Sequence, residues 1–164
     1  MKKKVAFLGV FLALALIFSY VESLIPAFFG VPGMKLGLAN IVMVILLFCI
    51  GPKEAYGISI ARVILAGFLF ANLYSIIYSM AGAMLSLTLM VLLKKTGRFQ
   101  IVTVSAVGGI THNVGQLIVA MLVVENYRVL GYLPALLAAG LITGILIGIV
   151  SQEITLRIKR YFVS

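Results

Sequence analysis

The 164-residue chain contains no aspartate and no tryptophan, a single cysteine, and four carboxylate side chains, Glu22, Glu54, Glu125 and Glu153. Without aspartate there is no aspartate-rich motif to hold a magnesium diphosphate, and the four glutamates show no paired spacing. The one histidine, His112, has no nucleophile or carboxylate beside it in sequence. No glycine-rich phosphate loop and no Cys/His spacing fit for zinc is present either. Catalysis by this chain alone, ATP hydrolysis, a metal site and a bound cofactor are therefore not expected. Cys49 lies in an apolar run, and a lone cysteine excludes an intramolecular disulfide.

What is present in excess is apolar surface. Hydrophobic residues make up 63% and charged residues 10% of the chain, with a mean hydropathy of +1.24. A soluble domain is roughly 45–50% apolar and about 25% charged. The composition identifies an integral membrane protein, and no polar block is long enough to fold outside the bilayer. One transmembrane domain over residues 1–164 is expected.

Apolar runs fall at Val5–Ile25, Leu36–Ile50, Ala55–Ala71, Ser75–Leu93, Ile101–Val124 and Leu133–Val150. A spanning helix takes about 20 residues, so the fold class predicted is an all-α bundle of six transmembrane helices. The second run is short and follows PAFFGVPGMKLG, a Pro/Gly-rich stretch that reads as a loop partly entering the membrane under protein cover. The first run reads as a span, because no A-x-A-like cleavage site follows it.

Basic residues accumulate on the cytoplasmic side of short loops. With the N-terminus inside, Lys2, Lys3, Lys4, Lys53, Lys94, Lys95, Arg98, Arg157, Lys159 and Arg160 are all cytoplasmic, Lys35 and Arg128 are external, and Arg62 lies within the third helix. Both termini are thus expected in the cytosol of a bacterial cell, with the chain in its inner membrane. The net charge of +9 is mostly topological. It implies contact with anionic membrane lipid and no nucleic-acid partner.

The segment GGITHNVGQL, Gly108 to Leu117, places three polar side chains inside an apolar helix. His112 and Gln116 are one turn apart and share a stripe with Gly108 and Ala120. Asn113 reads equally as interhelical hydrogen-bonding glue, worth about 1 kcal/mol. Arg62 is nine residues beyond Lys53, more than ~10 Å into the bilayer, so it must face the interior and find a partner. Glu22, Lys35, Asn40, Asn72, Tyr74, Ser75 and Tyr78 fall at similar depth or further out. Tyr74 and Tyr78 also suit an interfacial belt, and Glu22 with Lys35 a rim salt bridge. Together these groups outline an externally open cavity of positive character. In the first helix Gly9 and Ala13, with Ala6 and Ala15 nearby, allow close helix approach, either within the subunit or to a partner.

The stretches KLGLANIV (Lys35–Val42), ARVILAGFLFAN (Ala61–Asn72), YSMAGAMLSL (Tyr78–Leu87) and GGITHNVGQL resemble the small bacterial membrane proteins called heptaprenyl diphosphate synthase component I, or the Gx transporter family. The resemblance covers roughly Leu36 to Ala120 and, more weakly, the last helix. It implies a fold similar to the substrate-binding S components of energy-coupling factor transporters. In that fold small residues of the first helix, here Gly9 and Ala13, meet a transmembrane coupling subunit driven by separate ATPase subunits, and a ligand pocket lies near the external face.

The reading that leads from sequence is a substrate-capture subunit of a small-molecule importer. Arg62, His112, Asn113 and Gln116, helped by Asn40, Asn72 and Tyr78, would hold an anionic ligand, and the loop with Pro26, Gly30, Pro32 and Gly33 would act as its lid. The alternative is a membrane accessory subunit of a heptaprenyl diphosphate synthase, which holds a soluble prenyl transferase beside its lipid-like product. An ion-driven carrier is disfavoured by the lack of intramembrane aspartate and of a two-half repeat.

Overall fold

The computed structural model describes residues 2–24, 37–125 and 127–163. Among the described residues the structure is all-helical, with 92% of them in helix. The helices are α1 (Lys2–Leu24), α2 (Leu38–Cys49), α3 (Pro52–Phe70), α4 (Leu73–Lys95), α5 (Ile101–Val124) and α6 (Leu133–Val163), with a 3₁₀ turn at Tyr127–Tyr132 before α6. Lys35 and the lid positions Pro26, Gly30, Pro32 and Gly33 lie outside the described residues.

Among the described residues four segments are long and apolar enough to cross a membrane: Lys4–Leu24, Leu73–Lys95, Ile101–Val123 and Leu130–Ile158. The two remaining helices differ from the sequence expectation for separate reasons. Helix α3 carries Lys53, Glu54 and Arg62 in its 19 residues. Helix α2 has 12 residues, about 18 Å at ~1.5 Å each, against a hydrocarbon core of about 30 Å.

That short helix is the centre of the molecule. It touches α1, α3, α5 and α6, and Val42 through Leu47 are all buried. A run of consecutive buried residues means that α2 is covered on every side, as expected of a helix that is apolar all round. The outer faces of the other helices expose large apolar side chains, among them Val10, Phe68, Leu122 and Leu146. Such surface suits hydrocarbon and would be costly in water.

Local signals explain the helix ends. Pro52 opens α3, where its missing N–H costs nothing, and Glu54 adds negative charge to the first turn. Asn72 caps α4 by accepting from Ser75 N at 2.9 Å. At the other end of α4, Lys94 and Lys95 occupy the last turn, and Gly97 takes the left-handed conformation (φ +68°) as it donates to the Lys94 carbonyl. Lys4 of α1 reaches Glu54 of α3 at 2.5 Å. The hydrogen bond to the Lys4 ammonium holds the Glu54 carboxyl below its ordinary range. This tie is therefore complete at neutral pH and is lost as pH falls through that lowered value.

The closest helix crossings are built on glycine. On α6, Gly140, Gly144 and Gly148 face Gly109, Ser105, Ala106 and Val102 of α5, and a Cβ at Gly144 would lie 2.8 Å from the Ala106 Cα. On the other side of α5, Gly115 meets Gly82 of α4, where a Cβ would come within 2.9 Å of the Gly82 Cα. Between lipid-immersed helices, close backbone approach of this kind supplies the packing attraction that the hydrophobic effect does not.

Candidate functional site

Helix α2 ends inside the bundle, so its unpaired backbone groups must find partners there. They come from distant parts of the chain. At the N-terminal end the Glu22 carboxylate of α1 accepts from Leu38 N at 2.8 Å. At the C-terminal end the Lys94 ammonium of α4 donates to the Leu47 carbonyl and also lies 5.2 Å from the Phe48 ring centroid. A negative group thus meets the positive end of the helix dipole, and a positive group meets the negative end. Lys94→Met should lower thermal stability by about 1–2 kcal/mol by stripping that carbonyl of its partner; an unchanged melting curve in detergent would show the contact to be idle.

Between the two ends, α2 borders a small polar cavity shared with α3, α4 and α5. Asn40, Ser59, Ser86 and His112 supply its polar lining, with Met43 and Met90 among the apolar walls. The free volume is about 10 Å³, close to the ~10–15 Å³ that one water requires. A larger ligand enters only if α4 or α5 moves away from α2. Ser86 does not point a free hydroxyl into this space, because its Oγ donates to the Gly108 carbonyl at 2.8 Å.

Arg62 lies one turn beyond Ser59 on α3 and is 9% exposed. Its Nε has no hydrogen-bond partner among the described residues. The charge that acts on it is Glu22, also 9% exposed, yet the two do not make the direct contact seen between Lys4 and Glu54. The interior arginine read from sequence is therefore buried, and the carboxylate whose charge reaches it is the one that accepts from Leu38 N at the start of α2.

The other expected site residues divide by location. Asn40 and His112 line the cavity. Gln116 lies alongside Gly82, where a Cβ would meet its Cγ at 2.9 Å and the His112 carbonyl at 2.7 Å. Asn113 turns away to α6 and donates to the Leu136 carbonyl at 2.8 Å while buried. Asn72 serves as the cap of α4, and Tyr78 is half-buried on α4. Gly9 and Ala13 lie exposed on the outer face of α1, and nothing comes within 4 Å of where a Gly9 Cβ would be.

Two polar cavity residues, Ser59 and Ser86, were not anticipated from sequence. Isolated serines in apolar helices carry no signal that separates a cavity wall from a back-bonded hydroxyl. Among the described residues no cluster of His, Cys or Glu could hold a metal.

A family model described as heptaprenyl diphosphate synthase component I matches residues 11–154. No curated protein and no solved structure matches the chain.

Proposed function

Because this chain belongs to the heptaprenyl diphosphate synthase component I family, we propose that it is the non-catalytic membrane subunit of a two-component prenyl diphosphate synthase. In this reading it holds a soluble catalytic component against the bilayer that receives the long apolar product. The observation that carries the reading is the family match over most of the chain, joined to the absence of any aspartate. A synthase of this type needs diphosphate-binding carboxylates, so they must come from the other component. The residues form one domain, 1–164, of six membrane-embedded helices, in which α2 is sheltered by its neighbours and α3 turns Arg62 inward. Both termini lie in the cytosol, where the basic residues collect. Cysteine accessibility across Lys94–Arg98 checks that orientation, and labelling from the external side would reverse it.

The direct test is affinity purification of the tagged chain from its own cell membranes. An aspartate-rich soluble prenyl transferase should copurify at near-stoichiometric yield, and prenyl transfer by that component should fall when the membrane subunit is deleted. Normal transfer in the deletion strain would sink the proposal.

The polar interior, with Arg62 beside a cavity lined by Asn40 and His112, favours a second reading as the capture subunit of an importer with coupling and ATPase partners. On that reading Tyr78 and Gln116 would complete the ligand site, while Asn72 and Asn113 would join it only by giving up the α4 cap and the bond to the Leu136 carbonyl. Uptake dependent on partner ATPases is its signature. On this second reading a membrane coupling subunit packs against α1, so Gly9→Leu and Ala13→Leu should weaken copurification of that partner at least tenfold while leaving melting temperature unchanged. Those side chains extend outward and would hold a facing helix away. If both variants still assemble normally, the partner uses another face.

A further inference from the structure

The N-terminal end of α2 is an amide end without a cap of its own. Its N-cap residue is Gly37, which has no side chain to fold back and adopts φ +77°. The acceptor it uses, Glu22, is borrowed from a different helix. Asn40 in the first turn of α2 shares a cavity with Ser59 of α3, and one turn further along α3 Arg62 is more than nine-tenths buried with an unpartnered Nε, within the electrostatic reach of the same carboxylate. A guanidinium offers five donors in a rigid fork. Glu22 accepts from Leu38 N but forms no salt bridge with Arg62, whose Nε stays without a hydrogen-bond partner among the described residues.

We propose that the N-terminal end of α2 and the Arg62 guanidinium form a seat for a phosphate-type anion, and that Glu22 fills this seat as an internal substitute in the structure. The charges support it. A helix N-terminus contributes about +0.5 and Arg62 contributes +1, so with Glu22 in place the seat is close to +0.5. With Glu22 displaced or neutral it rises to about +1.5, which matches a phosphate group of about −1.5 to −2. Backbone amides at a helix start, together with an arginine, are the donors that phosphate binding uses, and Leu38 N is the amide that Glu22 now occupies. Phosphate and the Glu22 carboxylate therefore compete for the same place. The seat is independent of which partner the subunit serves, and loss of copurification with a synthase would leave it unaffected.

The test uses the full chain in nanodiscs of neutral phosphatidylcholine, titrated with inorganic phosphate by calorimetry. Glu22→Gln keeps an oxygen for Leu38 N but removes the competing charge, so it should bind phosphate about tenfold or more tightly than the unaltered protein. Its melting temperature should rise on phosphate addition. Arg62→Gln should bind no phosphate. A second set of discs containing phosphatidic acid separates the sources of the anion. If that lipid suppresses phosphate binding, the seat takes a lipid headgroup; if it has no effect, the seat takes a soluble phosphate; either result supports the seat. Phosphate affinity in Glu22→Gln equal to or below that of the unaltered protein overturns it. Should Glu22→Gln fail to insert, infrared difference spectra of the unaltered protein give the same answer. With four glutamates and no aspartate in the chain, the side-chain carboxylate region is sparse. One glutamate band should shift on phosphate addition, and no shift overturns the proposal.

Discussion

Replacing Glu22 by leucine should destabilise the folded bundle by about 3–5 kcal/mol, the cost of leaving a buried charge without its counter-charge. Two losses coincide at that position. Leu38 N would lose its acceptor at the capped end of α2, and Arg62, 9% exposed, would keep its charge with no carboxylate facing it. Leucine is close to glutamate in volume, so lost packing contributes little to the expected loss. The measurement is thermal unfolding in nanodiscs, with Glu153→Leu as control, since Glu153 is exposed on α6 and its removal should change little. A combined Glu22→Leu, Arg62→Met variant should recover part of the stability, because the uncompensated charge is then gone. Equal melting temperatures for Glu22→Leu and the control would mean that α2 and Arg62 find other partners.

Gly144→Ala, the smallest substitution available, should cost about 1–3 kcal/mol by overpacking, and Gly144→Leu should prevent close association of α5 and α6 altogether. The new Cβ would stand 2.8 Å from both the Ala106 Cα and the Ser105 carbonyl oxygen. These are backbone atoms of a helix, and they cannot swing aside as the end of a side chain can. Gly57→Ala is the matched control on α3, where nothing lies within 4 Å of the added carbon. There the substitution should be neutral or slightly stabilising, because alanine loses less backbone freedom than glycine in a helix. Measuring both variants by unfolding in the same lipid separates crossing geometry from helix propensity. If Gly144→Ala behaves like Gly57→Ala, the α5–α6 crossing is looser than the structure has it.

Much of the architecture was legible because hydropathy and length are local quantities. The helical runs, the apolar solvent around them and the inward direction of Arg62 all follow from transfer energies that each segment meets by itself. GGITHNVGQL was only partly legible. His112 does line an interior cavity, but Asn113 is spent on the Leu136 carbonyl, and Gly109 serves contact with α6 while Gly108 and Gly115 serve contact with α4. Which neighbour a glycine face meets is a property of two helices, so the stripe Gly140, Gly144 and Gly148 has no meaning until α5 lies against it.

By itself, the sequence determined that this chain lives in a membrane, that it is helical, and that its few interior charges cannot face lipid. Only the tertiary structure decided that α2, too short to span, becomes the buried centre. It also decided that Glu22 accepts from Leu38 N at the start of that helix, a role that the sequence did not suggest. The physical reason is that the ends of a short buried helix must be satisfied by groups from elsewhere. Those groups lie 16 residues away at one end and 47 at the other, separations that no local pattern encodes.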